Sequence, residues 1–261
     1  MFDAMVNGRI DTEDLTFVFE MADIEKLNQM SLAAEFDILK ISYAAYPQVT
    51  NNYQILNSGS ALGYANGPLL VTRAKVNSKE IEDMHIAIPG LNTTANLLLS
   101  IAHPNIEKKT EYLFSDIEEA VLSGETDAGL LIHENRFTYE ERGLHKIVDL
   151  GTWWEEQTHL PIPLGGIMVK RSLPLLVKES INRVLHHSVL YALQNPQDSL
   201  NFIKQNAQCM KDEVIQKHIE LYVNDFSLDL NEKGRRAIDM FFRKAVEIRK
   251  INYLTQPIFA N

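Results

Sequence analysis

In the stretch AGLLIHENRFTY, residues 128–139, an imidazole follows directly on an apolar run and is trailed by an acid, an amide, a guanidinium and two aromatic rings. Imidazole titrates near neutral pH, so His133 at the exit of a buried strand is a candidate general base. Two other segments carry complementary chemistry. In LKISYAAY, residues 39–46, Lys40 and Ser42 stand where a strand runs out, with Tyr43 and Tyr46 beyond. In PGLNTTAN, residues 89–96, Thr93 and Thr94 mark a helix start, where unpaired backbone N–H groups and the macrodipole favour an anion.

Each segment also has a plainer reading. A lone histidine is commonly a hydrogen-bonded structural residue, Thr93 and Thr94 serve as helix caps, Lys40 reads as a solvated lysine and Ser42 as a turn former. Position joins them. All three are expected at one edge, outside the carboxyl ends of strands, where α/β proteins hold ligands. Other patterns fail on spacing. HENRF lacks the second histidine of a zinc helix, and the adjacent His186 and His187 face different directions, so no metal site is expected. SGSALGYANGP, residues 58–68, has neither phosphate-loop nor dinucleotide spacing, and its glycines read as positions of close backbone approach. No Gly-x-Ser-x-Gly elbow surrounds any serine. Trp153 and Trp154 fit either a flat ligand wall or core packing.

The elements that must position these residues alternate. LTFVFEM (15–21), FDILKISYAAY (36–46), GPLLVTRA (67–74), HIAIPG (85–90) and AGLLI (128–132) read as strands, and the last, apolar throughout, as a parallel strand covered on both faces. Helical spacing occupies 24–34, 92–103 and 115–127, and four helical patterns follow from about residue 172. This order predicts an α/β fold of two lobes with a cleft between them. The first lobe is expected over 1–74 and 170–261, the second over 75–169. LPIPLGG, residues 160–166, reads as the stiff segment returning to the first lobe.

With 261 residues, 45% of them hydrophobic, the chain is long enough for a sizeable core. Its net charge of −10 argues against nucleic acid as a general partner, because phosphate binding needs a basic face. No run reaches the roughly 20 apolar residues that span a bilayer. The single cysteine, Cys209, excludes an intrachain disulfide, fits a reducing compartment and reads as a packing residue. MFDAMVNGRID has no basic and apolar signal pattern, so the cytoplasm is the expected location, with no membrane partner.

Taken together, KISYAAY, SGSALGYANGPLLV, PGLNTTANLLLS, AGLLIHENRFTY, VDLGTWWEEQTHLPIPLGGI and YVNDFSLDL resemble the 1,4-dihydroxy-6-naphthoate synthase family of the futalosine route to menaquinone, in the right order over nearly the whole chain. The resemblance implies a type II periplasmic-binding-protein-like fold and a lyase that releases 1,4-dihydroxy-6-naphthoate from cyclic dehypoxanthine futalosine without metal or redox cofactor. It implies His133 as general base, and Lys40, Ile41, Ser42, Thr94 and Ala95 as contacts to a small carboxylated substrate. No other histidine matches a family motif. Glu134 or Asn135 would orient groups near the base, and Tyr43, Phe137 and Tyr139 would flank the fused ring. Family members begin with a strand and a short loop ahead of the helix at MFDAMVNG, so an omitted N-terminal segment is expected. A non-catalytic solute-binding protein and a chorismate-dehydrating sister enzyme are the alternatives on the same fold.

Overall fold

The computed structural model describes residues 1–76, 78–206 and 211–260. The chain opens with α1 (Asp3–Val6) and α2 (Ile24–Ser31), then builds β1 (Ile38–Ser42), β2 (Tyr53–Ile55) and β3 (Ala61–Gly63). A second group comprises β4 (Leu69–Thr72), β5 (Ile86–Ile88), α3 (Thr94–Ala102), β6 (Lys109–Glu111), α4 (Ile117–Ser123), β7 (Ala128–Leu131), β8 (His145–Asp149) and α5 (Leu150–Thr158). The return strand β9 (Ile162–Lys170) feeds α6 (Leu175–Gln194), α7 (Leu200–Asn206), α8 (Asp212–Tyr222), α9 (Asp225–Leu228) and α10 (Asn231–Glu247).

Two sheets result. In the first, β1, β2 and β3 all pair antiparallel with β9. In the second the order is β6-β5-β7-β4-β8, with β5 parallel to β6 and β7, and β4 antiparallel to β7 and β8. All four residues of both β4 and β7 are buried, as continuous apolar runs should be when both faces are covered. Because β5 and β7 run parallel, their carboxyl ends open on the same edge.

The sheets divide the chain earlier than the expected boundaries at 74/75 and 169/170. β4 belongs to the second sheet and β9 to the first, so the chain crosses ahead of Leu69 and returns ahead of Ile162. An apolar run announces a strand, but its composition does not say which sheet it pairs in. At the first crossing a Cβ on Gly67 would run into the backbone of Gly151, which is the close approach expected of this glycine-rich stretch.

A second difference lies at 15–21, which forms no ladder. Leu15 and Phe17 lie against the cluster of Ile181, Val184 and Leu185 on α6, while Val18 is 97% exposed. Alternation supplied one apolar face, which packs on α6 rather than joining a sheet edge. Trp154 is fully buried, donates its indole N–H to the Pro161 carbonyl at 3.1 Å and meets Phe241 edge-on, so the packing reading of the tryptophans holds there. Cys209 lies outside the described residues. No helix among the described residues is long and apolar enough to cross a membrane.

One apolar cluster runs through both lobes. It joins Leu39, Ile41 and Ile55 of the first sheet to Ile86, Ile88 and Leu130 of the second by way of Leu97, Leu98 and Leu99 on α3. Burial of leucine side chains contributes about 1.5–3 kcal/mol each, so α3 is firmly seated, and its N-terminus is held at the junction of the lobes.

Candidate active site

A cavity of about 130 Å³ lies between the lobes, and its walls include Lys40, Ser42, Thr94, Ala95 and His133. Five of the six expected contacts therefore converge. Ile41 does not line it. Its side chain is fully buried in the core on the opposite face of β1, as the alternation of a strand requires.

Each of these residues is held by identifiable contacts. Ser42 donates its backbone N–H to Asn28 Oδ1 at 2.8 Å, and its hydroxyl accepts from Asn28 Nδ2 at 3.1 Å. Asn28 is itself buried on α2 and reaches the Asn92 carbonyl at 3.2 Å. Opposite Ser42 on β9, Gly165 lines the cavity, and a Cβ there would sit 2.7 Å from the Ile41 carbonyl oxygen. Glycine thus keeps β1 and β9 in contact at the site.

Thr93 caps α3 by accepting from the Asn96 N–H at 3.3 Å. The hydroxyl of Thr94 donates to the Leu164 carbonyl at 2.6 Å and accepts from the Ala44 N–H at 3.2 Å. These two bonds tie α3 to β9 and to the turn after β1, across the lobe junction. The N–H groups of Thr94 and Ala95, in the first turn of α3, have no partner among the described residues. They are free to receive an anion.

His133 begins a 3-10 turn, His133–Phe137, immediately after β7. Its φ is +54°, a left-handed value that a non-glycine residue adopts only when its surroundings enforce it. Arg136 anchors the same turn by donating to the Gly67 carbonyl and to Asp149 Oδ2, the latter at 3.3 Å. Asp149 in turn caps α5 through the Gly151 and Thr152 N–H groups. The Phe114 ring meets the imidazole edge-on at 5.1 Å and fixes its plane.

Electrostatics favour the neutral base. The pKa of His133 is pushed down to about 3, by burial first and then by His218 and Lys40. Lys40 is also lowered, by burial alone, with no carboxylate offsetting it. An ammonium enclosed in this way is suited to a carboxylate brought in by a ligand.

Among the wall residues that were not anticipated, three carry polar side chains: His218, Tyr222 and Asn66. His218 and Tyr222 stand four apart on α8, in KHIELY, so they share a helix face, with ring centroids 4.6 Å apart. That i, i+4 pairing was legible, but nothing in the spacing said that α8 would lie over the His133 turn. Tyr43 and Tyr139 do not flank the cavity. Tyr43 is fully buried and bonded to Ser60 at 2.7 Å, and Tyr139 packs in the core of the second lobe. Phe137 is not on its wall either.

The sequence model described as menaquinone biosynthesis matches residues 1–247. The chain belongs to that family. A relative from Thermus thermophilus, a 1,4-dihydroxy-6-naphtoate synthase, is 42% identical over 246 residues, covering 94% of this chain and 89% of its own. A crystal structure of an Archaeoglobus fulgidus protein superposes with a TM-score of 0.89 at 35% identity, over 96% of this chain and 93% of that one. A Candida albicans protein of the generic periplasmic-binding-protein fold superposes at 0.64 with 12% identity, over 98% and 93% of the two chains. That likeness concerns the fold alone, and the menaquinone-family chain has the periplasmic-binding-protein-like fold expected of it.

Proposed function

We propose that the chain is a carbon–carbon lyase that converts cyclic dehypoxanthine futalosine to 1,4-dihydroxy-6-naphthoate, with His133 as the general base. The observation that carries this reading is His133 itself, neutral and held at positive φ on the wall of an inter-lobe cavity. The synthase name of the Thermus thermophilus relative supports naphthoate as the product. Ring cleavage with aromatisation needs a proton removed from carbon or hydroxyl near neutral pH. An imidazole with its lone pair free is the acceptor; a positioned base contributes about 10²–10⁴-fold in rate, and the ligand's carboxylate, by neutralising Lys40, removes one of the causes that depress the His133 pKa.

The ligand's carboxylate meets the free N–H groups of Thr94 and Ala95 and the ammonium of Lys40, which offset its charge on a protein of net charge −10. Ser42, fixed by Asn28, offers a further hydrogen bond from the wall of the first lobe. Holding the ligand between lobes excludes water from the reacting centre and strengthens each of these contacts.

The test is incubation of the purified chain with cyclic dehypoxanthine futalosine, following naphthoate absorbance and the mass of the products. Naphthoate appearing in step with substrate loss is expected. Substrate bound and recovered unchanged would contradict the lyase and favour a solute-binding protein, and turnover of chorismate instead would favour the sister enzyme.

A further inference from the structure

The cavity holds a second imidazole whose hydrogen-bonding capacity is unspent. His218 lines it from α8, its ring centroid 5.9 Å from that of His133. Its Nε2 is buried with no hydrogen-bond partner among the described residues. A buried polar atom left without a partner costs stability and calls for an explanation. Packing alone does not supply one, because an apolar ring would stack on Tyr222 without the orphaned nitrogen. Asn66, also on the cavity wall, has a buried Oδ1 in the same condition. Two unsatisfied polar atoms on residues that line one cavity point to an occupant that satisfies them.

We propose that His218 is a second catalytic residue of this site, a neutral imidazole whose Nε2–H donates a hydrogen bond to the ligand oxygen on which charge develops as His133 takes its proton. This rests on the reading of His133 as base. The proton passes from the ligand to the lone pair of a His133 ring nitrogen. The electron pair left behind moves onto the ligand oxygen, and His218 bonds that oxygen while keeping its own proton. Burial and Lys40 hold the His218 pKa down to about 4. An imidazole of low pKa stays neutral and is a strong N–H donor, the arrangement by which a neutral histidine serves as electrophile. Charging both rings at this separation is disfavoured, so once His133 has taken the ligand's proton His218 stays neutral.

The two rings also come from different lobes. α8 packs on β3 of the first sheet and on the His133 turn of the second lobe.

The test compares turnover of cyclic dehypoxanthine futalosine by the native chain, His133→Gln, His218→Phe and His218→Gln, with far-UV circular dichroism as the check on folding. Glutamine keeps an N–H donor near the Nε2 position and phenylalanine keeps the stacking on Tyr222. Loss of one oxyanion donor lowers kcat by about 10²–10³-fold in His218→Phe with KM little changed, and His218→Gln recovers about tenfold or more of that loss. A His218→Phe chain that turns over like the native one while His133→Gln is inactive overturns the role of His218 and leaves that of His133 standing. So does a glutamine variant no faster than the phenylalanine one. Absence of turnover by the native chain overturns both. Should His218→Phe fail to fold, 15N NMR of the native chain decides: product binding shifts the His218 Nε2–H resonance downfield, and an unmoved resonance refutes the contact.

Discussion

Lowering the pH should unfold this protein along a curve set in part by two imidazoles. In the unfolded chain His133 and His218 titrate near the ordinary histidine value of about 6.5. In the folded chain they are pushed down to about 3 and about 4, in each case by burial first. Below the unfolded value the unfolded state binds protons that the folded state refuses, so stability falls as pH falls, from about 6.5 toward the folded values. At pH 5 each ring then costs about 2 kcal/mol relative to pH 8, and the two together about 4 kcal/mol. That is a large share of the roughly 5–15 kcal/mol typical of a folded domain. His103 is lowered in the same direction, so the difference between native and variant carries the test rather than the total slope. Urea unfolding, followed by tryptophan fluorescence with the buried Trp154 as reporter, is to be run from pH 8 to pH 5 on the native chain, His133→Gln and His218→Gln. Each variant should lose about 2 kcal/mol less than the native chain over that range. Parallel curves for all three would refute the burial argument.

Two further substitutions probe the framework. Asn28→Ala removes the acceptor of the Ser42 N–H and the donor to its hydroxyl; the orphaned buried group should cost about 1–3 kcal/mol in thermal or urea unfolding, and KM should rise more than kcat falls. Thr94→Val conserves shape but strips the bonds to Leu164 and Ala44 that cross the lobe junction; about 1–3 kcal/mol of stability should be lost, with hydrogen exchange of the Ala44 N–H speeding up.

How far the sequence disclosed the molecule depended on whether a signal was local or long-range. The exit of β7 into His133, the capped start of α3 and the polar end of β1 are local events, and Lys40, Ser42, Thr94 and His133, which they mark, all line the one cavity. Sheet membership is a long-range property. GPLLVT reads as a strand in either lobe, and only its pairing with β7 and β8 assigns it. The same limit hid His218. Its helix was legible from periodicity, but α8 meets the His133 turn through a contact some 80 residues away in sequence, and nothing in a helical pattern names its neighbour. Tyr43 and Tyr139 misled for the opposite reason. Adjacency in sequence to Ser42 and His133 suggested adjacency in the site, whereas the strand pleat and the turn send both rings into the core.

The most direct measurement is the turnover number of His133→Gln on cyclic dehypoxanthine futalosine at saturating substrate, beside the native chain, with 1,4-dihydroxy-6-naphthoate binding confirming that the cavity is intact. If His133 takes the proton, kcat falls by about 10²–10⁴-fold while product binding is kept. Turnover at the native rate by a folded variant that still binds the product would contradict His133 as the base.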